Sequence, residues 1–372
     1  MKNKLIASIS LFIVIALLTG CSITLPADAP TDESAGTSND SLPEGDVQDS
    51  MNEPGESPEV TQTDAEQPIE PEQPTDAEPA EPQEDEDDGI PVVYFTEIIT
   101  PESLVAIYEA LGAEPTGNIA IKIHTGEPPN SNYLRPELIG DLVRLIGGTL
   151  VETNTVGGQR ASTDRHMRVA RNHGFVDLAP FELLDADGEI SLPITVGEVL
   201  DEVVVGASFP NYDYYVVISH FKGHGSAGYG GAIKNLSIGI ASAAGKSLIH
   251  SGGARRTGWS GDQDAFLKGM AEAATAIANY LDGNVLYINV MNRLSVDCDC
   301  LGNPAEPDMH DIGVLASLDP VALDQACVDL VYAADDGASL IGRIEARNGI
   351  LTLVHSEAIG LGSRTYRLVN ID

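Results

Sequence analysis

The chain has 372 residues, 42% of them apolar, and a formal net charge of −37. A chain this acidic is not expected to bind nucleic acid, because phosphate neutralisation needs a basic surface. Residues 21–90 hold 22 acidic and no basic residues, leaving 35 acidic against 18 basic residues over 91–372, a segment long enough for one sizeable core.

Lys2 and Lys4 precede an apolar stretch, Leu5 to Leu18, of 14 residues. That is too short to span a bilayer as a mature helix and suits a signal peptide over 1–20. It ends in Leu18-Thr19-Gly20-Cys21, which resembles the bacterial lipobox. The resemblance implies lipidation of Cys21 and anchorage at the extracytoplasmic face of a bacterial cell membrane. Residues 21–90 are rich in Pro, Asp, Glu, Ser and Thr and close on Glu84-Asp85-Glu86-Asp87-Asp88. Such a segment buries too little apolar surface to offset its ordering entropy, so it is read as a disordered acidic tether. Like charges and proline extend it to a reach on the order of 200 Å.

From residue 91 the pattern alternates strand with helix. Strands are expected at 91–95, 118–123 and 149–152, and helices at 103–111, 136–146 and 162–173, the last with Ser162 or Thr163 as its cap and Gly174 at its end. Residues 175–213 read as a small excursion of antiparallel strands, with a hairpin turn at Asp185-Ala186-Asp187-Gly188-Glu189. The strand Tyr215–Ser219 and a glycine-rich loop follow. Then come a long helix over 262–281, strands at 284–290 and 312–317, a helix from Val321 to Tyr332 with Asp319 as cap and Pro320 at its first position, a helix over 344–359 and a strand over 365–369. Repeated strand–loop–helix units predict an α/β fold with a mostly parallel sheet covered on both faces. In such sheets ligands sit outside the carboxyl ends of the strands.

The candidate chemistry gathers at those ends. Lys122 and His124 close the second strand, with Glu127 behind them. Asn154 and Arg160 follow the third strand, in a Gly157-Gly158-Gln159-Arg160 run leading to the helix that carries His166. Histidine at a strand end serves a loop as readily as a site, and Arg160 reads equally as a surface ion pair; their recurrence favours function. The densest run is Tyr214–Gly253. His220, Lys222 and His224 alternate on extended chain and share one face, which suits acid–base work, an anion or a metal. Gly228, Gly230 and Gly231 let backbone amides approach a ligand, and Lys234 and Asn235 open the next helix, an expected anion cradle. Lys246 and His250 lie further on. Gly223-x-Gly225-x-x-Gly228 formally matches the dinucleotide fingerprint, but no ribose-binding acid follows at the expected distance.

Asp297-Cys298-Asp299-Cys300 forms a second cluster. Thiolates with carboxylates suit a soft or borderline divalent metal, and Glu306, Asp308, His310 and Asp311 lie close behind. The same two cysteines read equally as a disulfide-bonded or redox-labile pair. Cys327 sits among apolar helical positions and reads as a core thiol.

These motifs, IKIHTGE with NYLRPE, ETNT with GGQR, SHFKGHGSAGYGGAIKNLSIGIAS with GK, DCDCLGN, and DIGVLASLDPVALDQA, resemble the domain-of-unknown-function family 362 in content and order. Many members of that family are described as Fe–S centre proteins, with a ferredoxin-like cysteine-rich insert after the GK segment. Here that position reads HSGGARRTGWSGDQDAF and holds no cysteine, so [4Fe-4S] ferredoxin clusters are not expected. The His-bearing strand end that leads into a Lys-containing glycine loop is also similar to one motif of the nickel-pincer lactate racemase family. That similarity implies isomerase-type chemistry, with His220 and His224 or His124 as acid and base and Lys234 or Lys222 orienting a carboxylate. The reading is a membrane-anchored domain that binds a metal or an anionic cofactor for redox or isomerase-like chemistry. The alternative is a non-catalytic solute- or metal-binding lipoprotein.

Overall fold

A computed structural model describes residues 89–259 and 261–372. The expected leader, lipidation site and most of the tether lie outside the described residues. Among the described residues no helix is long and apolar enough to cross a membrane.

The first half runs β1 (Val92–Thr96), α1 (Pro101–Ala110), β2 (Ile119–Lys122), α2 (Pro136–Ile146), β3 (Thr149–Glu152), α3 (Thr163–Asn172), α4 (Phe175–Leu178), β4 (Phe181–Leu183), β5 (Glu189–Pro193) and β6 (Glu202–Gly206). The second half runs β7 (Tyr214–His220), β8 (Lys222–His224), β9 (Gly228–Gly230), α5 (Ala232–Ile240), α6 (Ala243–His250), α7 (Gln263–Leu281), β10 (Val285–Met291) and β11 (Gly313–Ser317). It closes with α8 (Pro320–Ala333), α9 (Ala338–Ala346), α10 (Leu351–Ala358) and β12 (Arg367–Asn370).

Eight strands form one sheet in the order β12-β1-β11-β10-β7-β2-β3-β4. Neighbours pair in parallel except where β11 runs against β1 and β10. The fold is therefore α/β with a mostly parallel sheet, as the strand–helix alternation predicts. Strand periodicity explains the two faces. Val216 and Ile218 of β7 pack with Leu104, Ile107, Ile139 and Leu142 of α1 and α2. Tyr215 and Val217 point the other way and join the core formed with α5, α6, α7 and α8. β7 is buried along its whole length, which is why it reads as a continuous apolar run.

Local signals hold at several termini. Asp319 caps α8, accepting from the Val321 and Ala322 amides, and Pro320 opens the helix; such a cap contributes about 1 kcal/mol. Asp262 caps α7 in the same way. Ser162 is the N-cap residue of α3, but its side chain makes no capping bond.

Four expectations are corrected. The glycine-rich loop after β7 is a β-hairpin, β8 against β9, because Lys222 to His224 pair with Gly228 to Gly230. The turn near Asp185 does not join two strands of one hairpin: β4 pairs with β3 in the main sheet, while β5 pairs with β6. The single helix expected over 344–359 is two, α9 and α10, broken where Asn348 adopts a φ of 53°. The preceding turn also extends further back, so α9 begins at Ala338.

Candidate functional site

A cavity of about 510 Å³ opens at the carboxyl ends of β2, β3 and β7. Its walls come from the loops that leave those strands, from the β8–β9 hairpin, from α5 and α6, and from the segment around Cys298 to Leu301. This is the position that parallel topology assigns to ligands.

At one wall Arg160 is buried between two acids. Its Nη1 donates to Glu152 at 3.0 Å and its Nε to Glu127 at 3.1 Å. It is thus an internal tie, not a surface ion pair. Glu152 also faces His166 Nε2 on α3 and accepts from Thr125 Oγ1 at 2.7 Å. Burial pushes the Glu152 carboxyl up, but His166 and Arg160 outweigh it and hold it well below the usual carboxylate range. His166 Nδ1 is buried without a partner, which fits a neutral ring donating from Nε2.

A second group links the hairpin to the cysteine segment. Lys222 Nζ contacts Asp299, donates to the Asn132 carbonyl at 3.0 Å and lies 2.9 Å from His220 Nδ1. His220 Nε2 donates to the Asn292 carbonyl at 2.6 Å. Burial, then the Lys222 ammonium, hold His220 well below its ordinary pKa, so the ring is neutral. Both of its nitrogens are engaged within the protein, and the expected role as a free acid or base is corrected.

His124 and His224 are placed differently. His124 Nδ1 accepts from the Gly126 amide at 3.2 Å. His224 Nδ1 accepts from the Ser226 and Ala227 amides at 3.1 and 2.9 Å. An acceptor at Nδ1 puts the proton of a neutral ring on Nε2. Burial holds both rings well below their ordinary pKa, aided by Arg160 at His124 and by Lys234 at His224. Both residues line the cavity as N–H donors.

Two of the lining lysines have no carboxylate bound to them among the described residues. Lys246 donates to Thr153 Oγ1 and the Ala241 carbonyl. The half-buried Lys234 lines the cavity and has no hydrogen-bond or ion-pair partner among the described residues. Burial lowers each to about 8, with Arg160 and a neighbouring lysine adding to the shift at Lys234. Every lining acid is already tied: Glu127 and Glu152 to Arg160, Asp299 to Lys222. The cavity therefore carries donors and positive charge in excess.

Several expected residues fall elsewhere. Lys122 lies behind the wall, donating to the Ile123 carbonyl and to Asn235 Oδ1, and burial lowers it to about 7. Asn154 is turned to Asp185 and Thr163. Gly228 adopts a φ of +82° against the backbone of Ile344 and Gly349, a packing role. Gly230, Gly231 and Asn235 do line the cavity. The expected anion cradle at the start of α5 is nonetheless corrected. Asp324 of α8 already takes the Ala232 and Ile233 amides at 2.7 and 3.0 Å, and a Cβ at Gly231 would lie 2.3 Å from its carboxylate.

The expected metal set is also rearranged. Asp297 pairs with Arg343 at 3.0 Å, and Asp299 with Lys222. Of the residues close behind, Asp308 is held through its amide by the Leu294 carbonyl, His310 pairs with Asp336, and Asp311 accepts from the Arg293 amide. His224, Cys298 and Cys300 come together instead, their ligand atoms within 4.8 Å of one another. The donor types and spacing match one soft ion. The two sulfurs are joined as a disulfide, however, and His224 Nε2 carries a proton, so the set fits a metal only once both are released.

His250, from the run singled out in the sequence, and Trp259, which was not expected as a site residue, complete the lining. The His250 ring stacks on Phe266 at 4.3 Å and meets Trp259 edge-on at 4.6 Å. Burial, then Lys234 and Lys246, lower His250 to about 3. The signal in the sequence was the chain's one tryptophan, set in a polar glycine-rich stretch.

An α/β domain with a cavity at its strand ends is the class that fold and site define. A family model, "Domain of unknown function (DUF362)", matches residues 119–329, and the chain belongs to that family. No curated protein matches the chain. Among solved structures, the lactate racemase apoprotein from Thermoanaerobacterium thermosaccharolyticum is similar at 13% identity and a TM-score of 0.33, over 53% of this chain and 50% of that one. A protein from Thermotoga maritima is similar at 12% identity and a TM-score of 0.34, over 70% of this chain and 58% of that one. The chain thus spans less than two thirds of either protein.

Proposed function

We propose that the cavity binds a small organic anion, a carboxylate or phosphate ester, as substrate or cofactor. The observation that carries this is Lys234: an ammonium in the cavity with no partner among the described residues, beside Lys246, where every described lining carboxylate is already tied. A buried cation is costly unless paired, and a ligand anion supplies the missing partner. The Nε2–H groups of His124 and His224 supply neutral donors. Neutral and protonated at Nε2, His124 orients the bound anion by a hydrogen bond, which is the part it would take in isomerase-like chemistry. The non-catalytic alternative, capture and release, is supported by the ion pairs that occupy Glu127, Glu152 and Asp299.

The test is to purify the full chain, denature it gently and analyse released small molecules by mass spectrometry. A carboxylate- or phosphate-bearing compound supports the reading. No released anion, with no stabilisation by any mono- or dicarboxylate or phosphomonoester, contradicts it. Recovery of a compound that exchanges unchanged favours the carrier.

A second reading, a soft metal at His224, Cys298 and Cys300, is supported by the convergence of their ligand atoms within 4.8 Å. Elemental analysis of reduced protein against Cys298→Ser/Cys300→Ser tests it; equal metal content in the two sinks it. The lipobox-like Leu18-Thr19-Gly20-Cys21 supports presentation of the domain at the extracytoplasmic face of a bacterial membrane through lipidated Cys21. The mass of the amino-terminal peptide from membranes tests that, and an unmodified Cys21 overturns it.

A further inference from the structure

We propose that the Cys298–Cys300 disulfide is a thiol–disulfide exchange site, reduced and reoxidised by a dithiol, with Cys300 as the sulfur that meets the partner. The two sulfurs are joined across one intervening residue and both line the cavity. A loop that short removes little chain entropy from the unfolded state, so a structural staple is a poor account of the bond. Their environments differ. Cys298 is buried, and Cys300 is partly exposed.

Each sulfur also has a donor suited to a thiolate. The Cys300 amide donates to Cys298 Sγ at 3.1 Å. His224 Nε2 lies 3.7 Å from Cys300 Sγ, and its proton is fixed there because Nδ1 accepts from two backbone amides. Donors at both sulfurs stabilise whichever leaves. Cys327 takes no part: it is buried in the main core, with Asn289 Nδ2 3.4 Å from its sulfur.

The exchange runs as follows. One thiolate of a dithiol attacks Cys300 Sγ, the reachable atom. The S–S electron pair departs to Cys298, whose thiolate the Cys300 amide meets. A mixed disulfide now joins Cys300 to the partner. The partner's second thiolate attacks its own sulfur in that bond and releases Cys300 as a thiolate facing His224. The two protons from the partner's thiols end on Cys298 and Cys300. The protein gains two electrons, and the dithiol leaves as its own disulfide. The reverse sequence oxidises a dithiol.

The test uses the full chain in dithiothreitol buffers of graded reduced-to-oxidised ratio, quenched with N-ethylmaleimide and read by peptide mass. Native protein is expected to take up two labels together, at Cys298 and Cys300, and none at Cys327, with no loss of the cooperative melt. Cys298→Ser, whose Cys300 is a free thiol, is expected to hold a mixed disulfide at Cys300 when treated with oxidised glutathione, a partner without a second thiol to release it. His224→Asn is expected to slow labelling of Cys300 by about tenfold while labelling of Cys298, the internal reference, changes little. The proposal is overturned if the pair resists dithiothreitol until the protein unfolds, or if reduction abolishes the cooperative melt. Equal slowing at both cysteines in His224→Asn removes His224 from the scheme.

Discussion

Arg160 Nη1 lies 3.0 Å from Glu152 Oε1, and both side chains are almost wholly buried. The pair joins β3 to the loop that leaves it and fixes one wall of the cavity. The guanidinium's second contact, to Glu127, ties in the loop after β2. A fork of fixed donors spans two acids in a way that a lysine cannot.

Removing that cation leaves two acids without their charge partner. Arg160→Met is expected to destabilise the protein by about 3–5 kcal/mol, the usual cost of breaking a buried pair from one side. Arg160→Lys recovers only part. Urea denaturation of the purified variants measures both, and a loss below about 1 kcal/mol for Arg160→Met would show the pair is not integral.

Lys234 makes the opposite prediction for stability. Its ammonium is half-buried and has no partner among the described residues, so Lys234→Met stabilises the ligand-free protein in thermal melts. The same change weakens anion binding by about 10–100-fold, the worth of a charged hydrogen bond. A variant that loses both stability and binding would mark Lys234 as structural.

The pH dependence follows from the same lysines. Burial takes Lys234 and Lys246 from 10.5 to about 8. Below pH 8 each is protonated in both folded and unfolded states, and the fold bears the full cost of desolvating the charge. As pH rises from about 8 towards 10.5 the folded state sheds the proton first, so that cost is relieved. The stability gap between wild type and Lys234→Met should therefore narrow over that window. Anion binding runs the other way, since it needs the ammonium: affinity falls above pH 8 by up to about tenfold per unit for each lysine. Denaturation midpoints and binding isotherms taken from pH 7 to pH 10 check both signs.

Gly231→Ala tests the junction of α5 and α8. The added Cβ would sit 2.3 Å from Asp324 Oδ1 and displace the carboxylate from the amides it holds. A cost of about 1–3 kcal/mol is expected from such overpacking. A neutral outcome in chemical denaturation would mean Asp324 is free to move.

Much of the fold was legible because periodicity is local. The continuous apolar run of β7 and the Asp319-Pro320 start of α8 each follow from a few adjacent residues. Parallel topology then placed His124, Arg160, Lys234 and Cys300 at one cavity without any knowledge of contacts. What escaped was the pairing of buried charges. Asp324 reaches α5 from 92 residues away and fills the helix end that glycine spacing had marked as a cradle. Asp297 is drawn off by Arg343, and Asp299 by Lys222, so the acids flanking the cysteines are not the cluster's partners. His224 takes that place because the β8–β9 hairpin folds back, a feature that glycine-rich composition hid behind the appearance of a loop.

Isothermal titration calorimetry tests the central claim most directly. Wild type and Lys234→Met/Lys246→Met, each as the full chain at pH 7, would be titrated with inorganic phosphate and with short mono- and dicarboxylates. The account predicts saturable binding of at least one of these anions to wild type and its loss in the double variant, with the variant still folded. Binding that persists unchanged in the double variant, or no binding by wild type to any of them, would contradict it.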